Sequence, residues 1–212
     1  MDVITLVHVA GGVVGLITGA VALGVQKGAA LHVRVGWVFV VAMLIMAIPG
    51  GVVSLLADKP FDALSSLMTF YLIISGWSTF KDHAGRYRLL MMGVAALCIV
   101  GYLGLELRTL LFDIRGTDAP VGAGYVFATV LSLALWGDFR IWRQPSVLVG
   151  KQRVIRHMWR MNFGLFIATG SFFGARPHLF PEWMQVYGLL LLLTVAPLLV
   201  MAFWRFRLRA PA

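Results

Sequence analysis

Residues 3–37 read VITLVHVAGGVVGLITGAVALGVQKGAALHVRVGW. The apolar run 3–25 is long enough to cross a bilayer as a helix, and His8 is its only ionisable side chain. Gly11, Gly15 and Gly19 form a ladder at steps of four. On a helix His8 shares a face with Gly15 and Gly19, and small residues on one face let a second helix approach closely. His8 is therefore expected to point into a helix bundle. A short basic turn then leads to His32, with Gly36 one turn on.

The rest of the chain has the same character. Of its 212 residues 60% are hydrophobic and only 13% charged, with a mean hydropathy of +0.87. Soluble domains carry about a quarter of their residues charged, so a soluble fold is excluded. The expected fold is all-α, a single membrane domain over residues 1–212. One cysteine, Cys98, rules out an internal disulfide and any cysteine-based metal cage. The opening Met1-Asp2-Val3 lacks the basic region of a cleaved signal peptide, so the first span is expected to stay.

Seven apolar spans are expected, at about 3–25, 34–56, 61–80, 89–112, 120–137, 159–175 and 183–204. If all seven cross, one side carries Lys27, Arg34, Lys81, Arg86, Arg88, Arg140, Arg143, Lys151, Arg153, Arg156, Arg160, Arg205, Arg207 and Arg209. The other carries only Lys59, Arg108, Arg115 and Arg176. This asymmetry predicts an outside N-terminus and a cytoplasmic C-terminus. The net charge of +9 lies in connections between spans. Its expected partner is anionic lipid headgroups rather than nucleic acid.

Several local features carry expectations. Pro49-Gly50-Gly51 predicts a kink or early stop in the second span. Asp62, Ser66, Thr69, Ile73, Gly76 and Phe80 form a stripe on the third span, and Gly122, Tyr125, Thr129, Ser132 and Trp136 one on the fifth. Both are expected to face the interior. The seventh span is expected to be the most lipid-exposed. Residues 139–157 read as the longest loop, against anionic lipid.

Three arrangements point to chemistry. His8, Asp62, Glu106 and Arg108 all belong to outer helix ends, and ionisable groups there turn inward and pair. They form the candidate ligand-binding cluster, with Glu106, Asp62 or Thr69 as the expected partner of His8. A b-type haem needs two imidazoles on facing helices at matching depth. His32 with His157, or with His83, would supply them. At the inner side, Arg160 is expected to pair with Asp138, as a brace for the loop. No metal-ligand spacing, catalytic triad, phosphate loop or dinucleotide fingerprint is visible, so nothing in the sequence argues for an enzyme.

HVAGGVVGLITG, KGAALHVRVGWVFVVAMLIMA, FYLIISGW and RHMWRMNFGLFIATGSFF together resemble the uncharacterised multi-pass bacterial membrane proteins grouped as a domain of unknown function. The resemblance covers most of spans one to six and implies a bacterial inner-membrane location. It implies no substrate or catalytic residue. The functional expectation is an interior polar site for a small molecule, lipid or quinone, with transport as one use of it. A b-type haem electron carrier and an accessory subunit docked on another membrane protein, or on its own copy, are the alternatives.

Overall fold

A computed structural model describes residues 2–81, 85–112, 119–120, 122–144, 148–186 and 188–209. The described chain is helical, with no strand among the described residues. The helices are α1 (Val3–Gly24), α2 (Ala30–Leu56), α3 (Pro60–Trp77), α4 (Gly85–Phe112), α5 (Ala123–Arg143), α6 (Lys151–Thr169), the short α7 (Glu182–Val186) and α8 (Leu189–Arg209). A 3-10 turn extends α3 to Phe80, and a π turn extends α6 to Gly174. Five segments are long and apolar enough to cross a membrane: Val3–Gly24, Ala30–Leu56, Pro60–Phe80, Arg86–Phe112 and Leu189–Arg207.

Local sequence explains the boundaries. Asp2 starts α1 by accepting from the Thr5 N–H at 2.7 Å, which satisfies an otherwise open backbone donor. Pro60 occupies the first turn of α3, where its missing N–H costs nothing. Gly122 precedes α5 with φ +83°, a conformation open to glycine because it lacks a Cβ.

Pro49 does not end α2, which continues to Leu56. A membrane helix tolerates an interior proline because neighbours satisfy the carbonyls it frees. The apparent loop 139–157 is also corrected. α5 runs on to Arg143 and α6 begins at Lys151, so helix carries much of the basic run. The seventh apolar stretch is interrupted at Gly188, φ +66°, between α7 and α8.

α3 and α6 sit at the centre. Met68, Tyr71 and Leu72 of α3 meet Ala95, Cys98 and Tyr102 of α4, Leu131 and Ala134 of α5, and Phe163 and Ile167 of α6. A second cluster joins Phe39, Val40 and Met43 of α2 to Ile73 of α3 and Leu165 and Ala168 of α6. α1 lies against α2 along its glycine ladder. A Cβ on Gly11 would stand 2.8 Å from the Met46 backbone nitrogen, so the two backbones touch there. α8 is the least buried of the five apolar segments. Leu191, Leu192 and Leu199 face outward, while Leu190 is buried and Leu198 packs against the core.

The stripe on α3 is interior through Thr69, Ile73 and Gly76, while Asp62 and Phe80 at its ends are exposed. The α5 stripe is a correction. Tyr125, Thr129, Ser132 and Trp136 face outward, and Gly124, Ala128, Leu131, Ala134 and Asp138 face in. Thr129 and Ser132 need no partner helix, because each hydroxyl donates to the carbonyl four residues back, both at 2.8 Å. The small side chains on the opposite face then make the close packing.

End contacts fix how the helices alternate. At one end Trp37 of α2 meets Trp77 of α3, Arg88 of α4 meets Ile141 of α5, and His157 of α6 meets Gly76 of α3. At the other, His8 meets Met46, Glu106 meets Gly124, and Thr169 meets Thr194. The first end holds most of the basic residues.

Candidate functional site

The charged centre of the molecule lies at the basic end, between α3, α5 and α6. Arg160 is 1% exposed, and its Nη2 donates to Asp138 Oδ1 at 2.7 Å and to the Ala134 carbonyl at 3.1 Å. Its Nη1 reaches Asp138 Oδ2 at 3.2 Å, the Tyr71 hydroxyl at 3.3 Å and the Ser75 hydroxyl. Tyr71 donates to Asp138 Oδ2 at 2.6 Å. One turn earlier on α6, Arg156 donates through Nη2 to Asp138 Oδ1 at 2.8 Å. Its Nη1 donates to the Ser75 carbonyl at 2.6 Å and to the Thr79 hydroxyl.

Helical spacing builds this arrangement. Arg156 and Arg160 are four apart on α6, and Tyr71, Ser75 and Thr79 are at steps of four on α3. The two faces meet across the C-terminal part of α5, where Asp138 projects between them. Two guanidiniums therefore share one carboxylate in a buried setting, and the Arg156 and Arg160 Nε atoms find no acceptor among the described residues. The Arg160 guanidinium also lies 5.3 Å from the Tyr71 ring and 5.2 Å from the Trp159 ring, so aromatic faces surround part of the charge.

A cleft opens beside this centre. It is lined by Ser75, Ser78, Arg88, Met91, Asp138 and Arg156, with Lys81, Tyr87, Ile141 and Leu148 completing the wall. About 20 Å³ is open to water centres, enough for one or two waters.

The sequence-derived outer residues are distributed differently. The His8 imidazole bonds through Nδ1 to the Met46 carbonyl at 2.7 Å, which requires the proton on Nδ1. Its ring fills the space that a Cβ on Gly50 would take, 2.6 Å from Nδ1. The expected partners Glu106, Asp62 and Thr69 are engaged elsewhere or exposed. Glu106 accepts from the Gly124 N–H at 2.8 Å and so closes the first turn of α5, where a carboxylate is favoured. Thr69 donates to the Ser65 carbonyl. Asp62 and Arg108 are exposed. No hydrogen bond or ion pair among the described residues joins any two of His8, Asp62, Glu106 and Arg108.

Of the three haem candidates, His83 lies outside the described residues. His157 bonds through Nδ1 to the Gly76 carbonyl at 3.1 Å and packs edge-on against Phe80, 5.2 Å between centroids. His32 is half-buried on α2, and its Nδ1 finds no partner among the described residues. Among the described residues no three His, Cys, Asp or Glu side chains gather into a metal site.

Lys27, in the turn after α1, donates to the Ala22 and Leu23 carbonyls at 2.8 and 2.7 Å and caps that helix. Partial burial holds its ammonium below the ordinary lysine value.

The Asp138–Arg160 pair was legible in the sequence, but Tyr71, Ser75, Thr79 and Arg156 were not assigned to it. The signal was present as two polar faces of period four at the same depth. In comparisons with known proteins, the chain matches no family model, no curated protein and no solved structure.

Proposed function

We propose that this is a seven-span protein of the bacterial inner membrane that binds a small molecule, lipid or quinone at an interior polar site. Its N-terminus lies outside and its C-terminus in the cytoplasm. α5 and α6 are the two additional spans, and their charged segments close on one another around Asp138. Membership of the uncharacterised membrane family that the sequence resembles belongs to the same reading.

The observation that carries it is the Asp138–Arg156–Arg160 centre beside an open cleft. Buried ion groups in a membrane are expensive, and a fully paired structural brace would have no need of a second guanidinium. Two arginines around one acid leave a site poised for a further polar group. The site belongs at the basic end rather than at His8 and Glu106, whose bonds already go to backbone groups of α2 and α5.

The test is native mass spectrometry of protein purified in mild detergent from its own membrane. The wild type should retain a ligand mass that Arg156→Gln loses. A wild type carrying no ligand would contradict the reading, and co-purification of a stoichiometric membrane protein would favour the accessory-subunit alternative.

A second reading, a b-type haem, rests on His157. A hydrogen bond from Nδ1 to a carbonyl, here that of Gly76, is how proteins orient a ligating imidazole. A Soret band in the same preparation would support it.

A further inference from the structure

The chemistry of the cleft narrows the ligand class, on the assumption that the site is the one proposed above. We infer that the cleft takes a phosphate group, one or two of whose oxygens enter between Arg156 and Arg88. Charge is the first argument. Both oxygens of Asp138 are already engaged, Oδ1 by Arg156 and Arg160 and Oδ2 by Tyr71 and Arg160. Around it the wall carries Arg156 and Arg88, and Lys81 with its ammonium over the Trp77 ring at 3.9 Å, while Arg160 holds Asp138 from outside the cleft. Positive charge is thus in surplus at a site partly removed from water, and an anion relieves that cost.

Unused donors are the second argument. Arg156 commits both Nη1 hydrogens to the Ser75 carbonyl and the Thr79 hydroxyl, and one Nη2 hydrogen to Asp138. The other Nη2 hydrogen is uncommitted among the described residues, and the buried Nε–H has no acceptor there. Arg88 donates through Nη1 to the Ile141 carbonyl at 3.3 Å. A guanidinium has five donors, so both side chains retain capacity, and their fork geometry suits phosphate oxygens.

Size and lining complete the argument. The open space holds one or two waters, so an edge of a phosphate fits and the remainder of its molecule stays outside. Met91, Ile141 and Leu148 supply an apolar wall beside the cations. Met91 and Ile141 are buried and Leu148 is partly exposed, so the glycerol of a phospholipid would leave the cleft past Leu148. A phospholipid headgroup and free phosphate share the required chemistry, and only the former uses this exit.

Thermal unfolding of the detergent-purified protein tests the inference. Three additions are compared at matched ionic strength: short-chain phosphatidylglycerol, sodium phosphate and sodium chloride. Near saturation the wild-type midpoint should rise by about 5 °C over chloride. A rise with phosphatidylglycerol alone identifies the lipid headgroup, and an equal rise with sodium phosphate identifies the free anion. Arg88→Gln should lose at least half of the rise. Arg156→Lys, which keeps the charge and loses the fork, should do the same, whereas Arg176→Gln at the opposite end should retain it. No rise over chloride from either phosphate source would overturn the inference, as would a full rise in both Arg88→Gln and Arg156→Lys. If native mass spectrometry then finds a phosphate-free ligand that Arg156→Gln loses, the broader reading stands and only the phosphate assignment falls.

Discussion

Arg160 grips Asp138 with both terminal nitrogens, Nη2 to Oδ1 at 2.7 Å and Nη1 to Oδ2 at 3.2 Å, on facing helices α6 and α5. Two partners strengthen the grip from the α3 side, the Tyr71 and Ser75 hydroxyls. α3, α5 and α6 are thereby tied at one depth by a single carboxylate. The consequences of removing each member differ, because each removal leaves a different group unpaired.

Asp138→Asn keeps the shape but leaves two buried guanidiniums without a counter-charge. It should cost about 3–5 kcal/mol, the usual penalty for breaking a buried pair from one side. Arg156→Gln leaves Asp138 still paired with Arg160 and should cost about 1–2 kcal/mol. Reversible unfolding of the three proteins in mixed micelles measures this order. An equal loss in both variants would show that Arg156 is as essential a brace as Asp138.

The glycine ladder gives a ranking within one helix. A Cβ on Gly11 would meet backbone, the Met46 nitrogen at 2.8 Å and the Ala42 carbonyl oxygen at 3.0 Å, which cannot swing aside as a side chain can. One on Gly15 would meet the Met43 sulfur at 3.0 Å, the flexible part of a side chain that can shift. Gly11→Ala should therefore destabilise by about 1–3 kcal/mol, and Gly15→Ala by clearly less. Leu191→Ala, at an outward position 67% exposed, should change little. Comparable melting temperatures for Gly11→Ala and Leu191→Ala would refute close contact between α1 and α2.

How much of this was readable in the sequence depends on what each residue competes with. The apolar runs marked the helices, because lipid leaves a helix few other ways to satisfy its backbone, and the glycine ladder marked a close helix contact without saying that α2 makes it. The inward face of α5 was not readable from polarity. Thr129 and Ser132 looked like interior groups, yet their hydroxyls close on their own helix, and the packing face is the less conspicuous Gly124–Ala128–Leu131 series. Hydropathy also cut α5 and α6 short at their charges. Asp138 lies just past the expected end of span five and Arg156 before the expected start of span six, and they meet across the two helices, a pairing that no single-segment average contains. The partner of His8 was hidden for a similar reason. A backbone carbonyl, that of Met46, leaves no mark in sequence polarity.

His8 should act as a helix clasp. His8→Gln keeps a donor for the Met46 carbonyl and should fold with little loss. His8→Leu gives up the bond and should cost about 0.5–1.5 kcal/mol. Unfolding midpoints of the two variants compare these outcomes. A ligand mass or chromophore lost in His8→Gln, with the fold intact, would instead give His8 a functional role.

Sidedness can be read by labelling from outside the cell. Cys98 is fully buried and should stay silent. A cysteine introduced by Asp118→Cys, in a segment outside the described residues, should react with a membrane-impermeant maleimide. One introduced by Gln144→Cys, next to the basic end, should be spared. The reverse pattern would invert the proposed orientation, and equal labelling would remove α5 as a span.

Where a retained ligand sits is the most direct question for the whole account. A density map of the protein purified in native lipid would answer it. The account predicts ordered non-protein density in the cleft, within hydrogen-bonding distance of Arg156 and beside Arg88, with Asp138 still held by Arg160. An empty cleft with ligand density at the opposite end, against His8 and Glu106, would contradict it.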